Sequence, residues 1–156
     1  MSKVVETELP SNSLLSDRIQ QSDFIDCYAV QSNLSPREAA EIITDFPGWA
    51  RFLVSIRNSV VSKFGLSSDT SEGTDKTGFF PIESETDQEL IAGFNDKHLD
   101  FRISVMSKDG QVFLSTWVHP HNLGGKIYLK TILPFHVLIV RNALARVRTI
   151  SLFTND

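Results

Sequence analysis

The chain has 156 residues, 41% of them hydrophobic and 22% charged, which suits one ordinary globular domain long enough to bury a core. Fifteen Lys and Arg stand against nineteen Asp and Glu. The net charge of -4 argues against nucleic acid as the main partner, because neutralising phosphate needs concentrated cations. A single cysteine, Cys27, excludes an internal disulfide and fits a reducing compartment.

Met1 to Gln21 is polar apart from isolated apolar residues such as Leu14 and Leu15, with no signal-peptide core at Met1 to Glu8. It reads as a loosely held lead-in (residues 1–21) to one domain over residues 22–153. The apolar stretch from Ile132 to Val140 is interrupted by Pro134 and His136 and falls well short of a membrane span. The expectation is a cytoplasmic protein with no membrane insertion.

Asp23 to Val30 predicts a first strand, with Phe24, Tyr28 and Val30 available to one face. Ser35-Pro36-Arg37-Glu38 then predicts a helix start. Ser caps, Pro takes the first helical position and Glu reaches back to the cap. Pro47-Gly48 breaks this helix. A second one follows from Trp49, with Phe52, Leu53, Ile56, Val60 and Phe64 as its apolar stripe and Gly65 at its end. Ser67 to Thr77 has little to bury and reads as an exposed loop.

Strands are predicted over 78–83, 88–94, 97–107 and 111–119. Asp109-Gly110 predicts a two-residue hairpin, since both residues tolerate positive φ. It would pair Val105 with Leu114, Ile103 with Thr116 and Phe101 with Val118. A turn at Asn95-Asp96 would set Ala92 against Leu99, Leu90 against Phe101 and Glu89 against Arg102. Both registers keep one apolar face, as a half-buried sheet requires. Gly124-Gly125 leads into a short helix over 126–132, and Pro134 starts a long C-terminal one, apolar nearly all round at first and so expected to be buried on several sides.

The other face of the hairpins gathers His98, Asp100, Arg102, Glu89, His119, His121 and Trp117, with directly opposed Cβ atoms roughly 5 Å apart. Four readings stay open. Cross-strand partners could satisfy one another, with Asp100 on His119, Glu89 on Arg102 and Arg102 over Trp117. Alternatively Asp100 orients His98 or His119 as an acid–base pair, making His98, Asp100 and His119 the catalytic candidates. In a third, His98, His119 and His121 supply metal ligands, although Pro120 usually marks a strand end. Last, Trp117 and Phe113 serve an interface. His136 reads as a packed or capping residue, and Cys27 as a small buried hydrophobe. From His119 onward five cations face one acid, Asp156, which reads as a solvated basic face.

Strand, two short helices, antiparallel strands and a long final helix is the order of a helix-grip fold. The segments Phe46-Pro47-Gly48-Trp49, Ile56-Arg57-Asn58, Gly93 to Val105, and Tyr128-Leu129 with Ile132-Leu133-Pro134-Phe135-His136 resemble a mostly bacterial family of START-like (SRPBCC) proteins catalogued as a domain of unknown function. The resemblance implies an α+β fold in which a curved antiparallel sheet wraps the C-terminal helix, with a small apolar or amphipathic ligand held between them. It supplies no catalytic residues and no cofactor.

On that expectation the ligand-binding candidates are Phe52, Ile56, Arg57, Phe101, Arg102, Ile103, Leu114, Trp117, Val118 and Leu138. The leading expectation is therefore a small binding module. The rivals are an enzyme of the cyclase, dehydratase or hydrolase kind using His98, Asp100 and His119, and a homodimer formed through the Trp117 face.

Overall fold

Alternating apolar residues build the sheet, and among the described residues two helices cover one of its faces. The computed structural model describes residues 4–21, 23–45, 76–77, 80–95 and 98–154. These form β1 (Val5–Glu6), β2 (Phe24–Gln31), α1 (Pro36–Ile43), β3 (Lys76–Thr77), β4 (Phe80–Glu85), β5 (Glu89–Asn95), β6 (Leu99–Lys108), β7 (Gln111–Pro120) and α2 (Leu123–Thr154). A 3-10 turn spans Leu14–Asp17. The strands make one antiparallel sheet in the order β1-β2-β7-β6-β5-β4-β3. The architecture is α+β, a curved sheet with a long C-terminal helix. The expected second helix, with Phe52, Ile56 and Arg57, lies outside the described residues.

The Asp109-Gly110 hairpin forms as expected. Asp109 has φ 53° and Gly110 φ 75°, and the ladder runs from Lys108↔Gln111 to Leu99↔Pro120. Two left-handed residues match the twist of the strands they join. The β5–β6 register differs from the expectation by four residues. Leu90 faces Val105, Ala92 faces Ile103 and Glu89 faces Met106. The last pair is Asn95↔Asp100, so the connection is longer than two residues. An even shift keeps every side chain on its face, so the apolar pattern fits both registers and could not tell them apart. Gly93 makes this pairing sterically feasible. Its φ is +148°, and a Cβ there would collide with the Phe101 carbonyl and the Arg102 backbone.

The capping box of α1 forms completely, with Ser35 Oγ accepting from Glu38 N–H and the Glu38 carboxylate accepting from Ser35 N–H. Its apolar stripe, Ala39, Ala40 and Ile43, is buried with Val140, Ala143, Leu144 and Val147 of α2 against Tyr28, Val30, Leu90, Val105, Val112 and Leu114 of the sheet. Leu144 and Val147 are fully buried, each contributing about 2 kcal/mol by removal from water.

Expectations about the C-terminal helix, the lead-in and the loop before β4 are corrected. The C-terminal region is one helix, with Pro134 inside it. Asn122 Oδ1 caps the helix by accepting from Gly125 N–H at 3.0 Å, and Gly125 lies so close to the His98 carbonyl that no Cβ would fit. The Lys130 carbonyl, which Pro134 cannot bond, is on an exposed residue that water can serve. Nor is the helix buried all round. Leu123, Ile127, Phe135 and Leu138 are exposed. By length and composition alone, Leu123–Ile150 is long and apolar enough to cross a membrane, a test that the core helix of a soluble domain also passes.

The lead-in is anchored rather than loose. Thr7 N–H donates to the Cys27 carbonyl, and Leu15 is buried with Ile91 and Trp117 under Leu9, Ile19 and Ile25. The stretch read as a loop over 67–77 ends in strand β3, which pairs with Pro81 and Phe80.

Candidate functional site

The sheet sorts its polar residues onto two faces. Asp100, Arg102, Ser104, Trp117 and His119 lie on the outer face, away from α2. Phe101, Ile103, Leu114, Thr116 and Val118 lie on the inner face, toward it. The ligand-binding candidates therefore divide. Phe101, Ile103, Leu114 and Val118 face the helix layer, Arg102 and Trp117 are on the opposite side, and Leu138 points to solvent at 58% exposure.

On the outer face the predicted side chains do meet, but with other partners. Asp23 is the hub. Its Oδ2 accepts from Trp117 Nε1 at 2.8 Å and from Gln20 N–H, and its Oδ1 lies 2.6 Å from His119 Nδ1. Burial pushes the Asp23 carboxyl up, but the His119 hydrogen bond, the Gln20 N–H, the Trp117 indole and the His119 charge together hold it below its usual range. Asp100 pairs with His121 Nε2 at 3.0 Å instead of with His119, its register partner. His119 stacks on Trp117 and meets the edge of His121 at a centroid distance of 5.6 Å.

Arg102 Nε donates to Glu83 Oε1 at 2.8 Å, not to Glu89, and Arg18 rather than Arg102 lies over Trp117 at 5.5 Å. Burial raises the Glu83 carboxyl, but Arg18 and Arg102 outweigh that and hold it below its usual range. Glu89 is buried and takes its bonds from Ser13 Oγ at 2.6 Å, Leu14 N–H at 2.8 Å and Ser104 Oγ. It fastens the N-terminal segment to the sheet.

His98 joins Asn122 at the start of α2 and is not drawn toward His119. Among the described residues, no group of three or more His, Cys, Asp and Glu is placed to hold a metal ion, and His98, His119 and His121 do not converge. Trp117 is 4% exposed beneath the chain's own N-terminal segment, so it offers no open surface. Cys27 is buried, and its thiol is pushed up to about 11, chiefly by desolvation.

The inner face holds the constellation that the sequence did not single out. Asp26 falls in the apolar parity of β2, between Phe24 and Tyr28, directly opposite Thr116 of β7. His136 descends from α2 and places Nε2 2.9 Å from Asp26 Oδ2, with Phe24 edge-on to its ring at 5.9 Å. The side chains of Asp26 and His136 are 10% and 16% exposed, and Thr116 is 2% exposed. Two oxygens of this group, Asp26 Oδ1 and Thr116 Oγ1, are buried without any hydrogen-bond partner. Native proteins seldom leave such atoms unpaired, and an instance calls for a physical reason.

The available signal was modest: an acid and a hydroxyl at positions where parity calls for apolar residues, and a histidine in an otherwise apolar helical stretch. Nothing in the linear sequence ties Asp26 to His136.

A family model described as a protein of unknown function (DUF2867) matches residues 18–143. No curated protein matches the chain, and no solved structure does.

Proposed function

The chain belongs to the DUF2867 family of proteins of unknown function, and on that premise we propose that it is a binding module for a small amphipathic molecule held between sheet and C-terminal helix in a START-like manner. The observation that carries this reading is the buried, unpartnered pair Asp26 Oδ1 and Thr116 Oγ1. Burying a polar atom without a bond costs on the order of 1–3 kcal/mol, and a ligand whose polar end meets both atoms recovers that cost on binding. The setting is otherwise apolar, with Phe24, Phe101, Ile103 and Val118 on the same face, which matches a pocket with few polar groups that fix orientation. Phe24 and His136 are half-buried, so the group lies toward the rim of the helix–sheet layer, within reach of an entering molecule.

Native mass spectrometry of the protein purified gently from its host tests the proposal. The expected result is a folded species heavier than the polypeptide that loses the excess on denaturation. A bare polypeptide mass, together with no mass gain after incubation with a small-molecule extract of the host, counts against it.

A second reading, acid–base catalysis, has one observation in its favour. Asp23 accepts from His119 Nδ1, which fixes the tautomer of a ring that is 30% exposed. Turnover lost in Asp23→Asn while ligand mass is retained would select that reading.

A further inference from the structure

Resting on the binding reading above, we propose that the ligand enters with an alcohol group, and that this hydroxyl bridges Asp26 and Thr116. The argument is one of donors and acceptors. Asp26 Oδ2 is engaged by His136 at 2.9 Å, while Oδ1 is unpartnered, and an ionised carboxylate oxygen can only accept. Thr116 Oγ1 sits directly across the ladder and can both donate and accept.

A ligand group completing this pair must donate to Asp26, and closes the circuit if it also accepts from Thr116. A hydroxyl does both with one atom. A carboxylate or phosphate has no proton for Asp26 and adds a negative charge beside it. A ketone or ester carbonyl satisfies Thr116 and leaves Asp26 unpaired. An ammonium can donate, but it must be stripped of water beside a carboxylate already engaged by His136. The described neighbours on the same face, Phe24, Val118, Ile103 and Phe101, are apolar and suit a hydrocarbon body.

Titratable groups among the described residues bear on this pair from α2 and from β2. His136 comes from α2, and Tyr28, two residues along β2, sits under the guanidinium of Arg141 at 5.0 Å. Among the described residues, His136 is the side chain bonded to Asp26, and no Lys or Arg is paired with it.

The experiment is calorimetric titration of the full chain with 1-octanol, octanoic acid and octylamine at pH 7, three probes sharing one tail. The expected result is saturable binding of 1-octanol, with octanoic acid at least tenfold weaker and octylamine also weaker. Thr116→Val, which keeps the shape and removes the hydroxyl, should weaken 1-octanol by roughly 2–10-fold, the worth of one neutral hydrogen bond. Asp26→Asn should weaken it further.

Because Thr116 Oγ1 has no partner in the free protein, Thr116→Val should fold at least as stably as the parent, which a urea titration of the variant confirms. Binding of 1-octanol unchanged in both variants overturns the alcohol assignment and leaves the binding module standing. Equal or tighter binding of octanoic acid or octylamine overturns it likewise. Failure of all three probes to bind overturns the alcohol assignment, while the binding module stands or falls on the native mass.

Discussion

His136 on α2 and Asp26 on β2 stand 110 residues apart in sequence and 2.9 Å apart in space. They form a hydrogen bond that crosses from the C-terminal helix to the sheet, in a layer where the neighbouring contacts are apolar. Its placement explains why an acid is tolerated in the apolar parity of β2. The carboxylate has one oxygen answered by the helix, while the other is buried without a partner.

Removing one partner of such a buried hydrogen bond leaves the other unanswered, which costs about 1–3 kcal/mol. His136→Ala is expected to lower the urea midpoint accordingly. The double variant His136→Ala with Asp26→Leu should recover part of the loss, because both polar partners are then gone. Equal midpoints for His136→Ala and the parent would show that the pair is not coupled to folding.

Glu89 is answered by three donors, two of them from the N-terminal segment. Glu89→Ala leaves Ser13, Leu14 and Ser104 donors facing a void, at an expected cost of about 2–4 kcal/mol. The loss should be local as well as global. Limited proteolysis should cut within residues 4–21 of the variant sooner than in the parent. An unchanged cleavage rate there would show that Leu15 packing alone holds the segment.

Asp23 makes the outer network sensitive to acid. In the folded protein it titrates below its ordinary 3.8, so the folded state binds fewer protons than the unfolded state as acid is added. Its stabilising contribution is complete above 3.8 and lost as pH falls through the folded value. Urea midpoints of the parent and Asp23→Asn should differ at pH 6 and draw together as pH falls below 3.8. A gap that stays constant down to pH 3 would assign the effect of the substitution to packing.

Cys27 combines burial with a thiol raised to about 11, so little thiolate exists at neutral pH and reagents cannot reach it. A colourimetric disulfide reagent at pH 8 should leave the folded protein unmodified for hours and react promptly in denaturant. Fast reaction of the folded protein would mean that the β2–β7 pairing opens readily.

Local chemistry was legible wherever neighbouring residues decide the outcome. Ser35, Pro36 and Glu38 specify the start of α1, and Asp109-Gly110 specifies the β6–β7 register to the residue, because each turn is closed by its own side chains and backbone angles. Parity along β6 and β7 also placed Asp100, Arg102 and Trp117 opposite the apolar set.

Tertiary structure decided the rest. Which carboxylate answers His119, Arg102 or Trp117 depends on Asp23, Glu83 and Arg18, which the sheet order and the N-terminal segment bring to the same face. The β5–β6 register turned on a longer connection that parity cannot sense. Asp26, Thr116 and His136 come together only when β2 pairs with β7 and α2 lies across both. That meeting follows from burying Val140, Leu144 and Val147 on the sheet, a hydrophobic requirement that names no polar partner in advance.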